Sequence, residues 1–136
     1  MTMLHAGIAL WFAVHAFPSV APARRSALQR SMGEQPYRGV FSLFILAALL
    51  LIVFGWKAAV PTAVYAPPLG PGLLSAILVL GGLILFFSSR VNGHIKQVFR
   101  HPQMAGTILW AASHLLTNGD SRSLALFGSM AVWATF

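Results

Sequence analysis

The stretch Gly39–Trp56, GVFSLFILAALLLIVFGW, decides the fold class: eighteen consecutive residues without one charged side chain. A run of that length and composition reads as a helix crossing a bilayer. Four further apolar segments flank it, at about Met3–Phe17, Leu73–Ser89, Gln103–Thr117 and Ser123–Phe136. The expectation is an all-α, polytopic membrane bundle of four to five short transmembrane helices, with residues 1–136 as a single domain. No tandem repeat is evident.

Composition agrees. The chain has 136 residues, 57% of them hydrophobic and only 8% charged, with Glu34 and Asp120 as its two acids. Soluble domains carry roughly 25% charged residues, so this chain lacks the polar surface a water-soluble fold needs. Without cysteine it has no disulfide, thiolate ligand or thiol nucleophile. No Ser-His-Asp set, phosphate-cradling glycine loop or carboxylate pair is present, and Gly81-Gly82 suits close helix packing.

Seven of the nine Lys and Arg residues lie in two connections: Arg24, Arg25, Arg30 and Arg38 after the first span, and Arg90, Lys96 and Arg100 after the third. That alternation argues against nucleic acid as the partner of the net charge of +7 and for the anionic leaflet of a lipid bilayer. It places the N-terminus outside and the two basic loops in the cytoplasm, as in a bacterial inner membrane. Ala21-Pro22-Ala23 resembles a signal-cleavage site, but no basic residue precedes the first apolar run, which therefore reads as a retained span. The last segment stops at Phe136 without a polar flank, which suggests a chain cut within its fifth span.

The breaks have local causes. Pro18 and Pro22 are expected to end the first helix. Pro61, Pro67, Pro68 and Pro71 should stiffen the next connection. Pro102 suits the first turn of the fourth helix, and Asn118-Gly119 its C-terminal turn. Asp120 and Asn118 either cap that corner or orient the histidine near it.

Five histidines carry the chemistry available. His5, near an interface, and His94, in a basic loop, read as ordinary polar residues. His15 and His114 each lie late in an apolar helix among apolar and aromatic neighbours, where an ionisable group is costly. They read either as hydrogen-bonded helix histidines or as ligands. Two imidazoles from two helices of a bundle can hold one haem iron from opposite faces. Phe and Trp rings would wall the macrocycle, and Arg24, Arg25, Arg38 or Arg100 would meet its propionates. The shortage of Asp and Glu disfavours zinc or di-iron. His114 lies twelve residues beyond Pro102, ~18 Å along the helix, so by depth alone His101 matches His15 better and stands as the reserve ligand.

Four blocks resemble the NnrU family, which includes the 15-cis-zeta-carotene isomerases of plants and cyanobacteria. They are Phe12-Ala13-Val14-His15 with Arg24-Arg25; Tyr37-Arg38-Gly39-Val40-Phe41-Ser42-Leu43; Gly93-His94-Ile95-Lys96 with Arg100-His101-Pro102-Gln103-Met104; and Leu109-Trp110-Ala111-Ala112-Ser113-His114 through Asn118-Gly119-Asp120. The resemblance covers nearly the whole chain. It implies a helical membrane protein whose isomerase branch binds haem b and turns a cis double bond trans, with ligands that map onto His15 and His114. The bacterial branch is associated with denitrification and nitric oxide metabolism. The isomerases carry a cysteine where this chain has Ala111, and the Asn-Gly-Asp corner is of the bacterial form. Both favour the NnrU branch. The expected partners are a hydrophobic small-molecule substrate or components of nitric oxide reductase, and the resemblance does not decide whether the chain is an enzyme.

Arg100-His101-Pro102 followed by Gly106 also resembles an element of membrane methyltransferases and sterol reductases, which would imply a soluble cofactor at the cytoplasmic face. Met104 replaces that element's aromatic residue. A third expectation is a non-enzymatic membrane assembly factor, whose small residues serve helix contacts.

Overall fold

A computed structural model describes residues 1–70, 72–91 and 93–135. Its regular elements are helical: α1 Thr2–Val20, α2 Pro22–Met32, α3 Glu34–Ala58, α4 Leu73–Ser88, α5 Ile95–Val98, α6 Pro102–Thr117, α7 Ser121–Ser123, a π-helical turn Leu124–Gly128, and α8 Ser129–Trp133. α1 and α3 are long and apolar enough to cross a membrane; α4 is a shorter apolar helix. The chain divides into two compact units, Met1–Val60 and Pro61–Phe136.

In the first unit α1 and α3 pack antiparallel. Glycines allow the backbones to meet: a Cβ on Gly7 would strike the backbone and side chain of Ile52, and one on Gly55 the backbone of Leu4. Between them lie the buried residues Leu4, Ile8, Ala48 and Ile52. Pro18 does not end the first helix as expected, because α1 continues through it to Val20. A proline so near the C-terminus forfeits little intrahelical bonding. The break falls at Ala21 (φ −129°, ψ 57°), and Pro22 occupies the first turn of α2, where its missing N–H is harmless. The basic connection is thus a helix, closed by Gly33 at φ 87°, the left-handed region glycine tolerates.

In the second unit α4 and α6 also pack antiparallel. A Cβ on Gly106 would meet the Gly82 carbonyl and the Phe86 amide, and one on Gly82 the Gly106 carbonyl and Trp110 amide. Ser113 Oγ adds a hydrogen bond to the Ser75 carbonyl at 3.1 Å. α6 begins with Pro102 in its first turn, as its sequence indicates.

The proline-rich segment before α4 lies along the C-terminal end of α6. Val64 and Tyr65 amides donate to the Gly119 carbonyl at 2.8 and 3.1 Å, and Leu69 N–H to the Leu116 carbonyl at 2.9 Å. The Tyr65 hydroxyl donates to the carbonyls of Leu115 and Asn118. The α6 terminus differs from a left-handed turn: Asn118 is extended (φ −132°, ψ 120°). Gly119 is needed because any Cβ there would collide with the Tyr65 carbonyl. Asp120 then caps the helix that follows, accepting from the amides of Arg122 and Ser123, each at 3.1 Å. Pro71 and Phe136, named in the sequence reading, lie outside the described residues.

Candidate functional site: two tryptophan–histidine turns

His15 and His114 occupy the same local arrangement in separate units. In α1, His15 Nδ1 lies 2.9 Å from the Trp11 carbonyl; in α6, His114 Nδ1 lies 2.9 Å from the Trp110 carbonyl. A carbonyl oxygen only accepts, so each Nδ1 carries the proton. In the neutral ring Nε2 then holds the lone pair. A metal-bound histidine is oriented in this way, its second nitrogen donating to a carbonyl or carboxylate. The helix supplies the bond through its four-residue spacing, which stacks residues i and i+4 on one face.

The surroundings of the two rings differ. His15 leans on Trp11, with centroids 4.2 Å apart, and meets Phe41 of α3 edge-on at 6.2 Å. Tyr37, one turn earlier on α3, lies 6.4 Å from Phe41 between ring centres. His114 is stacked on Phe127 at 4.2 Å and 24°, with Trp110 closing the group at 4.9 Å from His114 and 5.0 Å from Phe127. Phe127 reaches it from the π-helical turn. Such turns are rare and recur at functional sites.

His114 also lines a groove of about 430 Å³ between α4 and α6. Val79, Leu80 and Leu83 give it an apolar wall, and Ser75, Thr117 and Asn118 a polar end. Asn118 Nδ2 donates to the His114 carbonyl at 3.0 Å, so it braces the turn beneath the imidazole.

Asp120 is tied to its helix cap. Burial pushes its carboxyl upward, but the Ser123 hydroxyl at 2.6 Å, the Ser123 and Arg122 amides and the Arg122 charge together hold it below the ordinary value. Its oxygens thus serve the amides and side chains of Arg122 and Ser123.

Arg24 and Arg25 are exposed on α2, and Arg38 is exposed and pairs with Glu34 at 2.6 Å. Arg100 and His101 are exposed at the start of α6, the opposite end of that helix from His114. Among the described residues no three His, Cys, Asp or Glu side chains gather as a metal-binding group. Sequence reasoning missed Tyr65 and Phe127, and quoted Tyr37 within a block without giving it a role. The Trp-x-x-x-His spacing at Trp11–His15 and Trp110–His114 was the available signal for the shared turn.

A family model described as NnrU protein matches residues 3–136. No curated protein and no solved structure matches the chain.

Proposed function

The chain belongs to the NnrU family, and from that premise we propose that it is an integral membrane protein that binds haem b through His15 and His114. The observation that carries the reading is the paired turn. Each helix fixes the proton of its histidine on Nδ1 and so prepares Nε2 for iron. The residues fit such a ligand. The porphyrin supplies four nitrogens itself, so the protein needs only isolated imidazoles with apolar surroundings. Phe41 beside His15 in one unit, and Phe127 with Val79, Leu80 and Leu83 beside His114 in the other, are of that kind.

Membrane insertion is supported by what the helices leave uncovered. Leu43, Phe44 and Phe54 on α3 and Ile77, Leu80 and Phe87 on α4 are each more than half exposed. Soluble monomers rarely leave apolar patches of that extent in water, and lipid removes the cost. The orientation follows loop charge: N-terminus outside, basic connections in the cytoplasm of a bacterial inner membrane. The link to nitric oxide and denitrification, including nitric oxide reductase components as partners, rests on the family.

Bound haem would supply one-electron iron chemistry or a Lewis-acidic iron. The chain's part is to orient the imidazoles, exclude water with aromatic rings, and brace His114 through Asn118. The test is the absorption spectrum of protein expressed with ample haem and purified in detergent. A stoichiometric Soret band with low-spin features supports the reading. Protein that purifies folded and colourless, and takes up no added haem, overturns it.

A further inference from the structure

Tyr37 presents a buried polar atom that no described residue satisfies. Its phenolic oxygen is shielded from solvent and, among the described residues, has no hydrogen-bond partner. A hydroxyl buried without a partner is destabilising, and the large majority of such groups in native proteins are satisfied. Nothing about helix packing requires the oxygen: phenylalanine would give the same ring.

Its position suggests an acceptor. Tyr37 and Phe41 are four residues apart on α3, hence on one face, and Phe41 is the ring that meets His15 edge-on. Tyr37 lies at the start of α3, next to the short connection from α2. The sequence on either side of that connection is basic, with Arg24, Arg25 and Arg30 on α2 and Arg38 on α3 against the single acid Glu34. A buried O–H in an electropositive region favours an anionic oxygen.

We propose that Tyr37 is a further cofactor-binding residue, whose phenol donates a hydrogen bond to a carboxylate of the haem held at His15. The inference rests on the haem reading above. Tyr37 is thereby added to Arg24, Arg25, Arg38 and Arg100, the residues expected to meet the propionates; of these, Arg38 is exposed and pairs with Glu34.

The experiment compares wild-type protein and Tyr37→Phe, each loaded with haem b and with haem b dimethyl ester, whose carboxylates are blocked. The readout is the rate of haem loss to excess apomyoglobin. A charge-assisted hydrogen bond contributes enough to predict that Tyr37→Phe releases haem b about tenfold faster. The same substitution should accelerate release of the dimethyl ester much less, because a neutral ester carbonyl accepts a weaker hydrogen bond than a carboxylate. Equal acceleration for both cofactors would assign Tyr37 a purely structural role and overturn the inference. No acceleration for either would overturn it too. Wild-type protein that takes up neither cofactor overturns the haem reading itself, and is recognised before the variant is compared.

Discussion

The two helix pairs present the same histidine turn in different settings. α1–α3 and α4–α6 both cross at glycines, and in each pair one helix carries tryptophan and histidine four residues apart. His15 meets its phenylalanine edge-on at 6.2 Å, whereas His114 is stacked on Phe127 at 4.2 Å and opens onto a groove. The second pair is also stitched by hydrogen bonds, from Ser113 to Ser75 and from Tyr65 to the α6 terminus. The turn that sets the proton is therefore local and repeatable. What surrounds the imidazole is tertiary and differs between the pairs.

The strongest way to break the comparison is at the crossings. Gly106→Leu should abolish the α4–α6 contact, since backbone atoms of Gly82 and Phe86 occupy the space. Overpacking usually costs about 1–3 kcal/mol, and a collision with two backbone segments should reach the top of that range or pass it. The expected result in detergent is loss of monodisperse protein on mild heating, with Gly55→Leu doing the same through Leu4.

Phe127→Ala should separate the two settings. Phe127 is 7% exposed, so truncation should cost about 3 kcal/mol in thermal stability. It should also perturb the His114 ring resonances by NMR. Phe41→Ala should do less, because Phe41 is only half-buried and meets His15 by its edge. Equal effects would mean that the stacking contact has no special part in holding His114.

Smaller effects sharpen the account at the helix ends. Asp120→Ala removes the cap and should destabilise by about 1 kcal/mol. The folded carboxyl titrates below its unfolded value, so its contribution is present above that value and lost as pH falls through the folded one. Asp120→Asn should cap nearly as well and remove that acid dependence. Gly39→Ala, at a helical position with open space around its Cβ, should raise stability by roughly 0.5–1 kcal/mol. A loss there would show that Gly39 contacts a neighbour in the membrane.

Much of the fold was legible because hydropathy marks a helix wherever it must be buried or meet lipid. The apolar stretches at Met3, Gly39, Leu73 and Gln103 correspond to α1, α3, α4 and α6 within a few residues. Pro102 marked the start of α6 for a reason confined to its own ring. α2 escaped because PARRSALQRSM carries no apolar stripe and is fixed by its ends, Pro22 and Gly33. Gly81-Gly82 pointed to close packing, but its partner Gly106 did not stand out, since a crossing is a property of two helices. Tyr65 was invisible for the same reason: its acceptors lie fifty residues away or more. The histidines themselves were conspicuous, whereas Phe127 depended on a π-helical turn that periodicity does not announce.

The central claim is that the two turns present Nε2 to iron, and imidazole rescue tests it most directly. His15→Gly and His114→Gly proteins would be loaded with haem and their spectra recorded before and after adding free imidazole. The account predicts that each variant loses the low-spin spectrum of the wild type and regains it with imidazole. Wild-type spectra from both variants, without imidazole, would contradict it and place the iron on other residues.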